Sequence, residues 1–201
     1  MDFCSQNKLE YEDDQLIFNQ KILDSIIDDD NEQFLDLLTK DNRILSNPHK
    51  TFKMKSYKLP VILEDNPTYF SLCAFFGAEK CFTAFLSLFP LGINSHEIKQ
   101  LDDFKRSPVH FACFGGSLSI LQQLHSAGFD LNAKDKEEYL PSHYAAMAGR
   151  LNCIQYLWTN NANIFSASSL KTLITPVQIA SYYGNLEIIK FFFEVVPIIY
   201  S

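Results

Sequence analysis

The stretch from Ser107 to Asp135, SPVHFACFGGSLSILQQLHSAGFDLNAKD, recurs. Pro108, His110, Ala112, Gly116, Leu118 and Leu124 have counterparts at Pro141, His143, Ala145, Gly149, Leu151 and Leu157, all offset by 33. A third copy carries Pro176, Ala180, Gly184, Leu186 and Phe192 at an offset of 35. Such punctuation at a fixed period constrains the fold more than any other feature, because it marks units that stack side by side. Within a unit, Ser107 suits an N-cap and Pro108 the first helical position, where its missing N–H costs nothing. A short helix is expected to about Phe114, a reversal at Gly115-Gly116, and a second helix from about Leu118 to His125. One such unit cannot bury its apolar face alone, so the copies must pack on one another.

The motifs SPVHFA and LPSHYA, and more loosely TPVQIA, resemble the T-P-L-H-x-A signature of ankyrin repeats. The resemblance covers residues 102–196 well and the preceding ones less closely. It implies an all-α ankyrin-type solenoid of stacked helix-turn-helix units, with protruding turns and a concave groove. It also implies protein binding in place of catalysis.

A divergent copy precedes the clear ones. TYFSLCAFFGAEKCFTAFLSLF aligns when Gly77 matches Gly116, with its extra residues in the following connection. The array is therefore expected over 67–201, divided at 67–101, 102–134, 135–169 and 170–201. Earlier still, Ile22, Leu23, Ile26 and Ile27, then Phe34, Leu35 and Leu38, recur at helical spacing. We read residues 15–40 as a helix-pair cap with Asp30-Asn31 in the glycine slot, since terminal repeats need a polar outer face. Residues 1–14 read as a flexible acidic tail. Residues 41–66 read as a connecting segment with four lysines, an extended finger packing Leu59, Val61 and Leu63 on the cap. The apolar end, Phe191 to Ile199, leaves little polar surface for a C-terminal cap. Further repeats, or a bound partner, are the two readings.

Charge argues in the same direction. The net charge of −7 resides in residues 1–50, which hold 12 acidic against 5 basic residues. An acidic chain with no basic stripe argues against nucleic acid as a ligand. No apolar run approaches the roughly 18 residues that a membrane span needs, and MDFCSQNKLE lacks a signal-peptide apolar core. A cytoplasmic or nuclear setting is the expectation, without membrane insertion.

Five cysteines and five histidines invite a metal or nucleophile reading, and the register tests it. Cys73 and Cys113 fall in alanine slots, Cys81 and Cys153 in isoleucine slots, where free cysteine acts as a small hydrophobe. No C-x-x-C or H-x-x-x-H occurs, and no glycine-rich phosphate loop. We expect no cofactor, no metal, no small-molecule substrate and no catalytic residue. The family resemblance makes His110 and His143 structural, bonding the neighbouring turn, with Gln178 in the same slot.

The partner is expected to be another protein. The resemblance places the groove at the residues six and seven beyond the motif proline and at the turn tips before it. Position by position, this gives Phe75, Phe76, Phe114, Met147, Tyr182 and Tyr183 in the groove, with Gly115 and Ala148. The tips add Phe104, Arg106, Tyr139, Lys171 and Ile174. A set so rich in aromatics at nominally exposed positions is the composition of a binding surface. The alternative is that these rings pack between adjacent first helices, or that the lysine-bearing finger or the acidic tail covers them.

Overall fold

The computed structural model describes residues 17–40, 60–63, 67–89, 92, 99–169 and 173–199. These contain ten α-helices in five antiparallel pairs. The first pair is α1 (17–27) and α2 (Asn31–Lys40). Next come α3 (Tyr69–Phe76) with α4 (Glu79–Ser87), and α5 (Pro108–Gly115) with α6 (Leu118–Ser126). The last pairs are α7 (Pro141–Met147) with α8 (Leu151–Thr159), and α9 (Pro176–Tyr182) with α10 (Leu186–Ile199). No strand occurs among the described residues.

The punctuation acts as its chemistry requires. Pro108, Pro141 and Pro176 each open a helix, behind Ser107, Leu140 and Thr175 in extended conformation. Gly77, Gly116, Gly149 and Gly184 turn the chain with φ between 68° and 86°, the left-handed region that glycine enters without steric cost. The first pair departs from expectation. Asp29, with φ 50°, takes the left-handed turn, and Asp30 accepts the Gln33 N–H at the start of α2. Aspartate tolerates this conformation better than most residues. It also brings a carboxylate that glycine lacks: Asp29 accepts the Cys81 N–H at 2.9 Å and the Lys80 N–H at 3.2 Å. Helix α4 has no side-chain cap of its own, so the first pair supplies one.

The first helices form the spine. Helix α3 packs on α5, α5 on α7 and α7 on α9, while α6 lies against α8 and α8 against α10. Residues on the spine are small where neighbours approach: Ala112, Cys113, Ala145, Ala146 and Ala180 are fully buried. The tightest approach is at Gly115, where a Cβ would stand 1.9 Å from the Phe75 carbonyl oxygen. Cys73, Cys81, Cys113 and Cys153 are free thiols with no exposed surface. Burial pushes the Cys81 thiol up to about 12 and raises Cys73 and Cys113 as well, while its hydrogen bond with Cys113 lowers Cys153.

Each spine junction is pinned by the residue after the turning glycine. Ser117 Oγ reaches the Phe75 carbonyl, Arg150 Nε donates to the Phe114 carbonyl at 3.1 Å, and Asn185 Nδ2 donates to the Ala146 carbonyl at 2.7 Å. The connecting segment is described only at 60–63. Val61–Leu63 is a 3₁₀ turn, not the extended finger expected. Ile62 and Leu63 are adjacent and both buried, where an extended strand would send them to opposite faces. Leu59 lies outside the described residues.

We predict that Gly115→Ala forces α3 and α5 apart and costs roughly 1–3 kcal/mol, as overpacked contacts do. Urea unfolding measures it. An unchanged midpoint would refute the close approach.

Candidate functional site: the tips and the first-helix groove

The tips are closed hairpins. Asp102 N–H donates to the Arg106 carbonyl, Asp135 N–H to that of Tyr139, and Ser168 N–H to that of Ile174. Neighbouring tips join through the backbone, Lys136 N–H to Phe104 O and Ser169 N–H to Glu137 O. Asp102 Oδ1 accepts the Phe104 and Arg106 N–H groups, and Asp135 Oδ1 accepts those of Glu137 and Tyr139. The second oxygen is satisfied differently in each. Asp102 Oδ2 takes Arg106 Nε at 2.6 Å, and Asp135 Oδ2 takes the Tyr144 hydroxyl at 2.6 Å.

This corrects the expectation for Arg106. Its side chain is 3% exposed, held by Asp102 and lying over the rings of Phe104 and Phe111. A buried pair of this kind resists any exchange of partners, because a lone buried charge is costly. Burial raises the Asp102 carboxyl, and Arg106 opposes that shift. Phe104 is half-buried beneath the guanidinium. Lys171 lies outside the described residues.

The motif histidines tie the first helices to the tips. His110 Nδ1 accepts the Ser107 N–H at 3.0 Å, which leaves the proton on Nε2, 3.3 Å from the Tyr139 carbonyl. His143 repeats this between the Leu140 N–H and the Ile174 carbonyl, both at 3.0 Å. Burial drives His110 from 6.5 down to about 4 and lowers His143 in the same direction.

The remaining expected residues fall into two groups. Phe76, Phe75 and Phe114 make a ladder of rings, 4.8 and then 5.9 Å apart, which continues through Tyr144 to Tyr139. All three phenylalanines are half-buried, so they pack between first helices and still show an edge. Tyr139, Met147, Ile174, Tyr182 and Tyr183 line a cavity of about 450 Å³ together with Leu173, Gln178 and Ile179. Tyr182 is 85% exposed. Sequence reasoning missed the last three. Leu173 occupies the left-handed tip position of Lys105 and Glu138. An apolar residue in that polar slot was the available signal. Gln178 was read only as the histidine's substitute.

Residues 70–168 match the family described as ankyrin repeats (3 copies). The chain carries ankyrin repeats. It is 33% identical over 98 residues to the tyrosine-protein kinase HTK16 of Hydra vulgaris, covering 48% of this chain and 13% of that protein. It is 31% identical over 91 residues to a transient receptor potential cation channel subfamily A member 1 homolog of Caenorhabditis elegans, 45% of this chain and 7% of the channel. It is 38% identical over 63 residues to human ankyrin repeat domain-containing protein 37, 31% of this chain and 40% of that one. The chain thus spans less than half the length of each of these relatives. Ankyrin repeats are protein-interaction modules, generally without catalysis. Among the described residues, no group of three or more His, Cys, Asp or Glu is placed to hold a metal ion, and no helix is long and apolar enough to cross a membrane.

The histidines set a pH dependence. A neutral, buried His110 resists the proton that the unfolded chain accepts below about 6.5. Its contribution is present above that pH and lost as pH falls towards about 4, amounting in full to about 3 kcal/mol. His110→Gln, the residue type at position 178, should remove this loss. Melting temperatures at pH 7 and pH 5 check it: the wild type should fall further than the variant.

Proposed function

We propose that the chain is a protein-interaction module that takes a partner peptide or domain on the groove side of its first helices. The contacts are Phe75, Phe76, Phe114, Met147, Tyr182 and Tyr183, with Phe104, Tyr139, Ile174 and Lys171 at the tips. No catalytic step is involved, and the setting is the cytoplasm or nucleus. The observation that carries this reading is the gathering of five of these residues around one apolar cavity, two of them exposed tyrosines. Exposed aromatics beside a cavity are costly in water and are the residue types that dominate binding energy. Arg106 contributes through the tip it holds, not through a contact.

A second reading places this array as the targeting or regulatory part of a longer enzyme or membrane protein. It is favoured by the kinase and channel relatives, of which the matched segment is a small fraction. The length of the native open reading frame distinguishes the two.

The expected outcome for Tyr182→Asp with Tyr183→Asp is loss of the partner that the wild type retains in affinity purification with mass spectrometry. The melting temperature should stay within a few degrees, because both rings are exposed. Phe114→Asp should also lose the partner, with some cost in stability. Undiminished capture by both variants would sink the groove reading.

A further inference from the structure

At the three first helices that open on a motif proline, the side chain in the third position accepts the cap N–H, and in two of them it also faces the next tip. His110 accepts the cap N–H through Nδ1 and gives Nε2–H to the Tyr139 carbonyl of the next tip. His143 does the same for Leu140 and Ile174. Gln178 keeps the inward half: its Oε1 accepts the Thr175 N–H at 2.8 Å and the Thr175 hydroxyl at 3.1 Å. Those two donors fix which end of the carboxamide is oxygen and leave Nε2–H2 as the donor that corresponds to Nε2–H of the histidines. Among the described residues no carbonyl meets it. Both histidines are fully buried, whereas Gln178 is exposed.

Gln178 also lines the cavity of about 450 Å³ with Met147, Leu173, Ile174, Ile179, Tyr182 and Tyr183. No lysine, arginine, histidine or carboxylate is part of that lining. A charged side chain entering it would lose hydration and gain no counter-ion. The molecule holds two examples of what sits on such a donor. In both, the carbonyl belongs to a large residue, Tyr139 or Ile174, followed by one in extended conformation, Leu140 or Thr175, and then by proline.

Resting on the interaction-module reading above, we infer that Gln178 and this cavity receive an uncharged, extended segment of a partner protein, with an aromatic or branched residue in the cavity, its carbonyl on Gln178 Nε2 and a proline two residues on. In a second copy of this chain the Tyr139 and Ile174 carbonyls are already engaged by His110 and His143, so neither of those two segments is free to reach this donor.

The test uses an acetylated, amidated peptide with the sequence at Leu173–Pro176, and the same peptide with aspartate for its isoleucine. The Met147 methyl group and the Gln178 side-chain amide are followed by NMR in the full chain. The first peptide should shift both resonances saturably, and the aspartate peptide should not. Gln178→Glu keeps the cap acceptor and removes the donor, so binding should weaken about tenfold or more. Gln178→His keeps both halves and should keep binding. No saturable shift in the wild type, or equal binding by Gln178→Glu, would overturn the inference. So would resonances that shift with protein concentration alone, which would put a second copy on the site. Loss of partner capture in the tyrosine and Phe114 variants with no peptide shift in the wild type would keep the groove reading and reject this site, whereas unimpaired capture by both variants would reject both, since Tyr182 and Tyr183 line the cavity.

Discussion

The array depends on a close approach of neighbouring first helices, and the approach of α5 to α3 at Gly115 shows it most sharply. A backbone carbonyl faces a residue without a side chain, so two helices meet at a distance that no other residue permits. Ala112, Cys113, Ala145 and Ala146 extend the close-packed seam to the next junctions. The histidine links depend on that spacing. An imidazole spans a fixed distance between its two nitrogens, and His110 and His143 reach both a cap and the following tip only because the first helices lie close. Packing and polar satisfaction are therefore one constraint from α5 onward, while a methyl group at position 115 strains the packing of α5 on α3.

The tips show how one geometric demand is met by different chemistry. Each needs an acceptor at its base to hold the turn's N–H groups. Asp102, Asp135 and Ser168 supply it. An aspartate brings a second oxygen into a buried place, where an unmet charge costs several kcal/mol. Arg106 answers it in one repeat and the Tyr144 hydroxyl in the next. The serine has no second oxygen to satisfy. The first two tips thus share a hydrogen-bond pattern and differ in how the buried carboxylate is answered, while the third closes over a longer segment.

How much of this is legible in the chain follows from which physics writes itself into spacing. Proline at the helix start and glycine at the turn are local demands, and the helices they bound lie within a residue or two of expectation. Burial of Cys73, Cys81, Cys113 and Cys153 was readable because the register aligns them with alanine and isoleucine. Asp29 was not readable as the turn residue, since its advantage over Asp30 comes from capping a helix some fifty residues later. Arg106 misled for a similar reason. Its register position is exposed in principle, and only the fold-back onto Asp102 buries it. The groove residues divide where register says nothing: Phe75, Phe76 and Phe114 stack on one another, while Tyr182 and Tyr183 stand clear. Residues 1–16 and 41–59, where the acidic tail and the lysines lie, are outside the described part.

The side chains that follow the turning glycines carry a consequence for how the array comes into being. Ser117, Arg150 and Asn185 all reach backward, to carbonyls of the repeat made before them. The open carbonyls at the end of a first helix are therefore completed by residues that leave the ribosome about 40 positions later. Chains fold from the N-terminus as they are synthesised, at roughly 5–20 residues per second. Each unit here brings its own fastening to a surface already in place. Assembly can then run in the direction of translation, one repeat at a time, with His110 and His143 waiting only for the tip of the next repeat.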